Sequence, residues 1–328
     1  MSDVPPAPPA SPAPVDLGIA GVLVGHHTDL DARTGCTVVI LPEGSVASGE
    51  VRGGAPATRE FALLEPTRTV ACIDAVVLSG GSAFGLAACD GVMQWCSVHE
   101  RGFETKAGRV PIVVGMSLYD LGQGDAEVRP TSADGYRAAN VATPGPVAWG
   151  VLGAGTGATV GKWRGAEHVR PGGLGIGVVR QDEVVVVAII AVNAVGDIDD
   201  GTVAAAIAAG SFAWPVPPEQ FGAVTEATVD PAPVGTNTTI GVIITNALLD
   251  KVGCQLVAQS GHDGLARALF PAHARSDGDA LVAVSVPTPP EPAGDEPPAD
   301  AGVAAAGQLD VVRILATVAV EQAVRSLA

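Results

Sequence analysis

Nine consecutive apolar residues, Val184 to Val192, constrain this chain more than any other feature. A run of Val, Ile and Ala without alternation describes a strand buried on both faces. It is too short to span a bilayer, which takes about 20 helical residues. A strand buried on both faces needs a packed layer on each side. Such strands, with helices outside them, predict a layered α/β architecture. The run ends in a polar residue, Asn193, followed by Ala194-Val195-Gly196.

A second apolar run, Gly241-Val242-Ile243-Ile244-Thr245-Asn246, follows Gly235-Thr236-Asn237-Thr238-Thr239-Ile240. Here two hydroxyl residues stand at the mouth of a buried strand, where a side chain is held rigidly. Cleavage of the Asn237-Thr238 bond would make Thr238 a new N-terminus. Its hydroxyl and its own α-amine would then lie a few bonds apart, a nucleophile with a built-in base. The same residues also suit a capped turn before a strand. Asn237-Thr238-Thr239 is formally a glycosylation sequon, which has meaning only in a secreted chain. Residues 215–236, rich in Pro, Ala and Thr, read as a long loop leading to the bond.

The acidic balance limits the partners. A net charge of −17 in 328 residues repels a phosphate backbone, so no nucleic acid is expected. With 47% hydrophobic residues but only 4% aromatics, the core must be aliphatic, and 42 Gly allow close backbone approach. Charged residues are 16%, which suggests surface shared between subunits. Five cysteines without CxxC spacing fit reduced thiols in a cytosol. Met1 to Pro14 lacks the features of a signal peptide, and no stretch suits a membrane span. A cytoplasmic protein is expected, with residues 1–15 as a disordered Pro/Ala tail and 16–328 as a single catalytic domain.

Further strands are expected at Gly21–Gly25, Thr37–Leu41, Ala75–Leu78, Pro111–Val114 and Leu281–Val286. Helices are expected at about Ala83–Val98, Tyr136–Ala142, Leu248–Gln259 and Leu309–Ser326. In the third of these, Leu249, Val252 and Leu256 share a face. In the last, Val312, Leu315, Ala319 and Val320 point inward. Pro287–Pro298 reads as an acidic surface loop.

Ser276-Asp277-Gly278-Asp279 precedes the Leu281 strand. Paired carboxylates at i and i+2 split their pKa values, and one can accept a proton near neutral pH; the alternative is a solvated acidic turn. Gly153-Ala154-Gly155-Thr156-Gly157-Ala158 fits neither a dinucleotide loop nor a phosphate loop well, and suggests a tight turn near a site. Ser79-Gly80-Gly81-Ser82-Ala83-Phe84-Gly85 lies between strand and helix but lacks the nucleophile-elbow pattern. Tyr119 and Asn193 each end a buried strand. His26-His27 has no matching cluster of ligands, so neither a metal nor a cofactor is expected.

Together these pieces resemble the DmpA-type aminopeptidase family. The resemblance rests on Arg52-Gly53-Gly54-Ala55-Pro56-Ala57-Thr58-Arg59-Glu60, Leu78–Leu86, Gly153–Ala158 with Gly161-Lys162, Asn193, Asn237–Ile240 and Asp277-Gly278-Asp279, in the family's order. It implies an αββα sandwich like that of N-terminal nucleophile hydrolases. It also implies self-cleavage into residues 1–237 and 238–328, and a homo-oligomer, commonly a tetramer of such pairs. By this likeness Thr238 is the nucleophile and Asn193 holds the oxyanion. Tyr119 and Lys162 line and orient the site, while Asp277 and Asp279 assist proton transfer. Aminopeptidase members often carry Ser and a Ser/Glu pair at these places. Thr238 with two aspartates looks more like the nylon-oligomer hydrolase branch. The expected substrates are small peptides, amino-acid amides or oligoamides. The alternatives are acyl transfer of the ornithine-acetyltransferase type, or a non-catalytic scaffold that keeps the fold.

Overall fold

The computed structural model describes residues 12–214, 237–287 and 306–328. The expected tail up to residue 11, the loop at 215–236 and most of that at 287–298 lie outside the described residues. Within the rest of the expected tail, Val15 forms a two-way backbone bridge with Val147.

Ten strands make two five-stranded sheets. In chain order they are β1 (Leu23–Asp29), β2 (Thr34–Ile40), β3 (Val46–Val51), β4 (Ala57–Arg59), β5 (Ala75–Ser79), β6 (Val113–Ser117), β7 (Gly173–Gln181), β8 (Val184–Asn193), β9 (Thr238–Thr245) and β10 (Ala280–Ser285). One sheet has the order β1-β2-β5-β6-β4 and the other β7-β8-β9-β10-β3. Pairing is antiparallel except for β5 with β6 and β9 with β10. The principal helices are α1 (Ala88–Val98), α2 (Ser132–Asn140), α3 (Thr202–Ala208), α4 (Lys251–Ala268) and α5 (Ala306–Arg325).

Alternation along the strands sorts their side chains into three cores. Val187, Ile189 and Ala191 of β8 face Val76 and Leu78 of β5 across the space between the sheets. Val186, Ala188, Ile190 and Val192 turn the other way, onto α4 and α5. Behind the first sheet, Val38 and Val77 pack against α1 and α2. The molecule is therefore the expected αββα sandwich, and β8, bounded as its sequence predicts, is covered on both faces.

Local chemistry sets several boundaries. α2 begins in a capping box between Thr131 and Asp134. α4 begins where the Asp250 carboxylate accepts from Gly253 N at 2.7 Å. It runs nine residues past the expected Gln259, and Val252, expected inward, is exposed. Its buried side sets Val257 and Leu265 among small residues such as Gly253, Cys254, Ala258 and Gly261. Small residues let the layers touch. A Cβ at Gly175 or Gly177 of β7 would collide with the carbonyls of Ala323 and Ala319 in α5.

Candidate active site

Two registers bring the site together. Asn193, last in β8, is the antiparallel partner of Thr238, first in β9. Directly opposed residues point to the same face, and both share the parity of residues that fill the space between the sheets. Thr239 takes the opposite parity, shared with Ile243, toward the α4 and α5 layer. On the other side of β9, the parallel register with β10 pairs Ile240 with Ala280, and a bridge joins Asn237 to Asp277. Thr238 thus lies between Asn193 and the Asp277-Gly278-Asp279 segment, and it is buried.

The Asn237 carbonyl, the acyl half of the expected scissile bond, accepts from Gly278 N at 2.9 Å. It also accepts a very short hydrogen bond from the Thr238 hydroxyl. The hydroxyl therefore touches the group it would attack, and a backbone N–H already polarises that group.

Asn193 is oriented by three neighbours. Thr159 N donates to Oδ1 at 3.0 Å, and a backbone N–H can only donate, so this contact identifies the oxygen end of the amide. Lys162 Nζ donates to Oδ1 at 2.8 Å and to the Asn193 carbonyl at 3.1 Å. Nδ2 donates to the Tyr119 carbonyl at 2.9 Å. This contact from Tyr119 is made by its backbone. The Gly153–Ala158 segment is the expected tight turn, and it delivers Thr159 and Lys162 to Asn193. Burial pulls the Lys162 amine down to about 7 against the opposing charges of Asp277 and Asp279.

The two aspartates are buried, which overturns the solvated-turn alternative. Asp277 Oδ1 accepts from Val195 N at 3.2 Å and Oδ2 from Ala274 N at 2.9 Å. Burial and then the charge of Asp279 push Asp277 up to about 7. Asp279 Oδ1 accepts from Thr239 N at 2.7 Å, while Oδ2 accepts from His273 N at 3.2 Å and His273 Nδ1 at 2.8 Å. His273 carries no motif; its role comes only from the folding of the 273–279 loop. The Arg52–Ala55 motif clasps that loop: Arg52 N and Gly53 N donate to the Asp279 carbonyl, and Ala55 N donates to that of Asp277 at 2.8 Å. A Cβ on Gly53 would strike the loop backbone. The Ser79–Gly85 turn is held separately, by Asp120 accepting from Gly81 N at 2.7 Å. Among the described residues, no group of three His, Cys, Asp or Glu is placed to hold a metal ion.

The layered αββα fold is that of the N-terminal nucleophile hydrolases, and it brings together a strand-initial hydroxyl, an amide and a carboxylate pair. Within that class the chain belongs to peptidase family S58, whose profile matches residues 17–327. An uncharacterized aminopeptidase of Mycobacterium leprae is 40% identical over 297 residues, covering 84% of this chain and 79% of the relative. A 6-aminohexanoate-oligomer endohydrolase of Paenarthrobacter ureafaciens is 30% identical over 272 residues, covering 81% and 73%. The fold is shared with a Burkholderia β-aminopeptidase at a TM-score of 0.66 and 23% identity, over 96% of this chain and 87% of that one. It is also shared with the L-aminopeptidase D-Ala-esterase/amidase of Ochrobactrum anthropi, described as a variant of the Ntn-hydrolase fold. There the TM-score is 0.67 at 20% identity, over 98% and 88% of the two chains.

Proposed function

We propose that the chain is made as a precursor that cuts itself between Asn237 and Thr238, and then hydrolyses amide bonds with Thr238 as its nucleophile. The observation that carries this reading is the Thr238 hydroxyl against the Asn237 carbonyl, with Gly278 N donating to the same oxygen.

In the precursor, Thr238 Oγ attacks the Asn237 carbonyl carbon, and its proton passes to the Thr238 nitrogen. Gly278 N–H stabilises the oxyanion that forms. The C–N bond breaks, leaving an ester between Asn237 and the Thr238 side chain. Water hydrolyses it, giving an Asn237 carboxylate and a free Thr238 amine. In the mature enzyme this amine takes the hydroxyl proton as Oγ attacks a substrate carbonyl, and the proton then leaves with the amine product. Water releases the acyl group. Asn193 Nδ2 stabilises the substrate oxyanion, an interaction worth about 3 kcal/mol in comparable sites. Lys162 and Tyr119 hold the amide in orientation. Asp277 and Asp279 tune the proton transfers.

The substrates are small peptides, amino-acid amides or oligoamides. The names of the relatives support this, since an aminopeptidase and a 6-aminohexanoate-oligomer hydrolase both cut amide bonds. The cleaved pair works in the cytoplasm as a homo-oligomer, a tetramer of pairs. An exposed apolar stripe on α5, Val311, Ile314 and Val318, supports an association surface. The test is release of amine from amino-acid amides and short peptides by wild type and Thr238→Ala. Hydrolysis by wild type alone is expected; equal rates would refute the reading. An added amine acceptor that captured the acyl group in place of water would instead indicate acyl transfer.

A further inference from the structure

His273 stands behind the acidic pair, and its two ring nitrogens meet acceptors only. Nδ1 is 2.8 Å from Asp279 Oδ2, and Nε2 is 3.3 Å from the His262 carbonyl. A carbonyl oxygen cannot donate, and neither can a carboxylate. With Asp279 ionised, both ring nitrogens carry hydrogen, and a ring protonated at both is an imidazolium. The backbone N–H of His273 and that of Thr239 also point at Asp279. Three N–H groups and one positive charge converge on this carboxylate and fix its orientation.

We propose that His273 is the positioning residue of the acidic pair: as a half-buried imidazolium it holds Asp279 as a carboxylate in one orientation, so that the exchangeable proton of the pair resides on Asp277. The inference rests on reading the pair as the proton-handling part of the site.

The surroundings fit. His262 in α4 packs edge-on against the His273 ring at 4.9 Å between centroids. Its Nε2 faces the Glu50 carbonyl at 3.0 Å, so Nε2 carries the hydrogen there, and Nδ1 is buried without a partner. Burial pulls His262 down to about 4, so it stays neutral and does not compete for the charge. Burial also works against a charged His273, but the hydrogen bond and charge of Asp279 prevail and its pKa is raised. Arg52 opposes this from the end of β3, though its guanidinium is paired with Glu50 and Asp263. Lys162 and Asp277 also act electrostatically on Asp279. After cleavage the Thr238 amine joins them.

The backbone at His273 has φ of +56°, which Gly adopts freely and Asn tolerates. His273→Gly removes the ring at little backbone cost. His273→Asn restores a neutral side-chain donor near the position of Nδ1. For wild type, both variants and Thr238→Ala, kcat/KM on an amino-acid amide is measured from pH 5 to 9. The acid limb of His273→Gly is expected to move up by about one pH unit, a roughly tenfold loss on that limb that fades at higher pH. His273→Asn recovers part of it. Histidine ring 15N NMR on uncleaved Thr238→Ala is expected to show His273 as imidazolium at pH 7, and as neutral once Asp279→Asn is added. A uniform loss at every pH, or a neutral His273 ring beside intact Asp279, would overturn the inference. Amide hydrolysis by Thr238→Ala would instead refute the nucleophile, and the NMR result would still decide the state of His273.

Discussion

Gly278 and Thr238 are neighbours between the β9–β10 pairing and the parallel bridge of Asn237 with Asp277, and no side chain fits between them. A Cβ at position 278 would lie 2.7 Å from Thr238 Oγ1 and 2.6 Å from the Ala55 carbonyl. The glycine between the two aspartates therefore does more than bend the chain. It leaves room for the hydroxyl and directs its own N–H at the Asn237 carbonyl.

Gly278→Ala is accordingly expected to slow self-cleavage at least tenfold while the sandwich still folds. Overpacking of this kind costs about 1–3 kcal/mol, and here the strain falls on the nucleophile. Intact mass followed over days measures it. Cleavage at the wild-type rate would show that the contact has no part in the reaction.

Asp277→Asn and Asp279→Asn should each slow hydrolysis strongly, and the double variant should be little worse than the worse single one. Groups acting as one unit lose most of their effect when the first member goes. Cleavage is checked first, so that failed maturation is not mistaken for failed catalysis. Wild-type turnover in all three would leave the Thr238 amine as the only base.

Lys162→Met should lower kcat/KM at least tenfold, because Asn193 loses one of the donors that fix its amide. Lys162→Arg should not rescue it. Burial pulls the lysine amine down to about 7, whereas a guanidinium is permanently charged and larger. Rescue by arginine would mean that charge alone is what the site needs.

The same two groups give the uncleaved Thr238→Ala protein an unusual stability profile. Asp277 is raised from 3.8 to about 7, so between those values the folded state holds the extra proton and its contribution falls as pH rises. Lys162 is lowered from 10.5 to about 7, so over that upper window the unfolded state holds the extra proton and the contribution rises with pH. Together they place a shallow minimum near neutral pH in the denaturation midpoint. Asp277→Asn should remove the falling limb and Lys162→Met the rising one.

The sequence reveals what is continuous in it. The uniform Val184–Asn193 run marks its strand to the residue because every position obeys one rule. α4 is harder to bound, since much of its buried side is Gly, Ala and Cys, which give little periodic signal. At the site, Thr238, Asn193 and the two aspartates stand at strand ends, where a polar residue beside an apolar run is conspicuous. His273 is not legible in the sequence because its partner lies six residues further on and only the loop's folding brings them together. Tyr119 shows the converse: the residue was expected to orient the site, and it holds Asn193 with a carbonyl that any residue could supply.

The central claim is that Thr238 becomes an N-terminus by its own action. Intact mass and N-terminal sequencing of purified, incubated protein test it most directly, with Thr238→Ala alongside. Wild type is expected to give two chains, residues 1–237 and a small chain of 91 residues that begins Thr-Thr-Ile-Gly. Thr238→Ala is expected to remain one chain of 328 residues and to be inactive. A wild-type protein that stays whole and still hydrolyses amides, or a Thr238→Ala protein that cuts itself at this bond, would contradict the account.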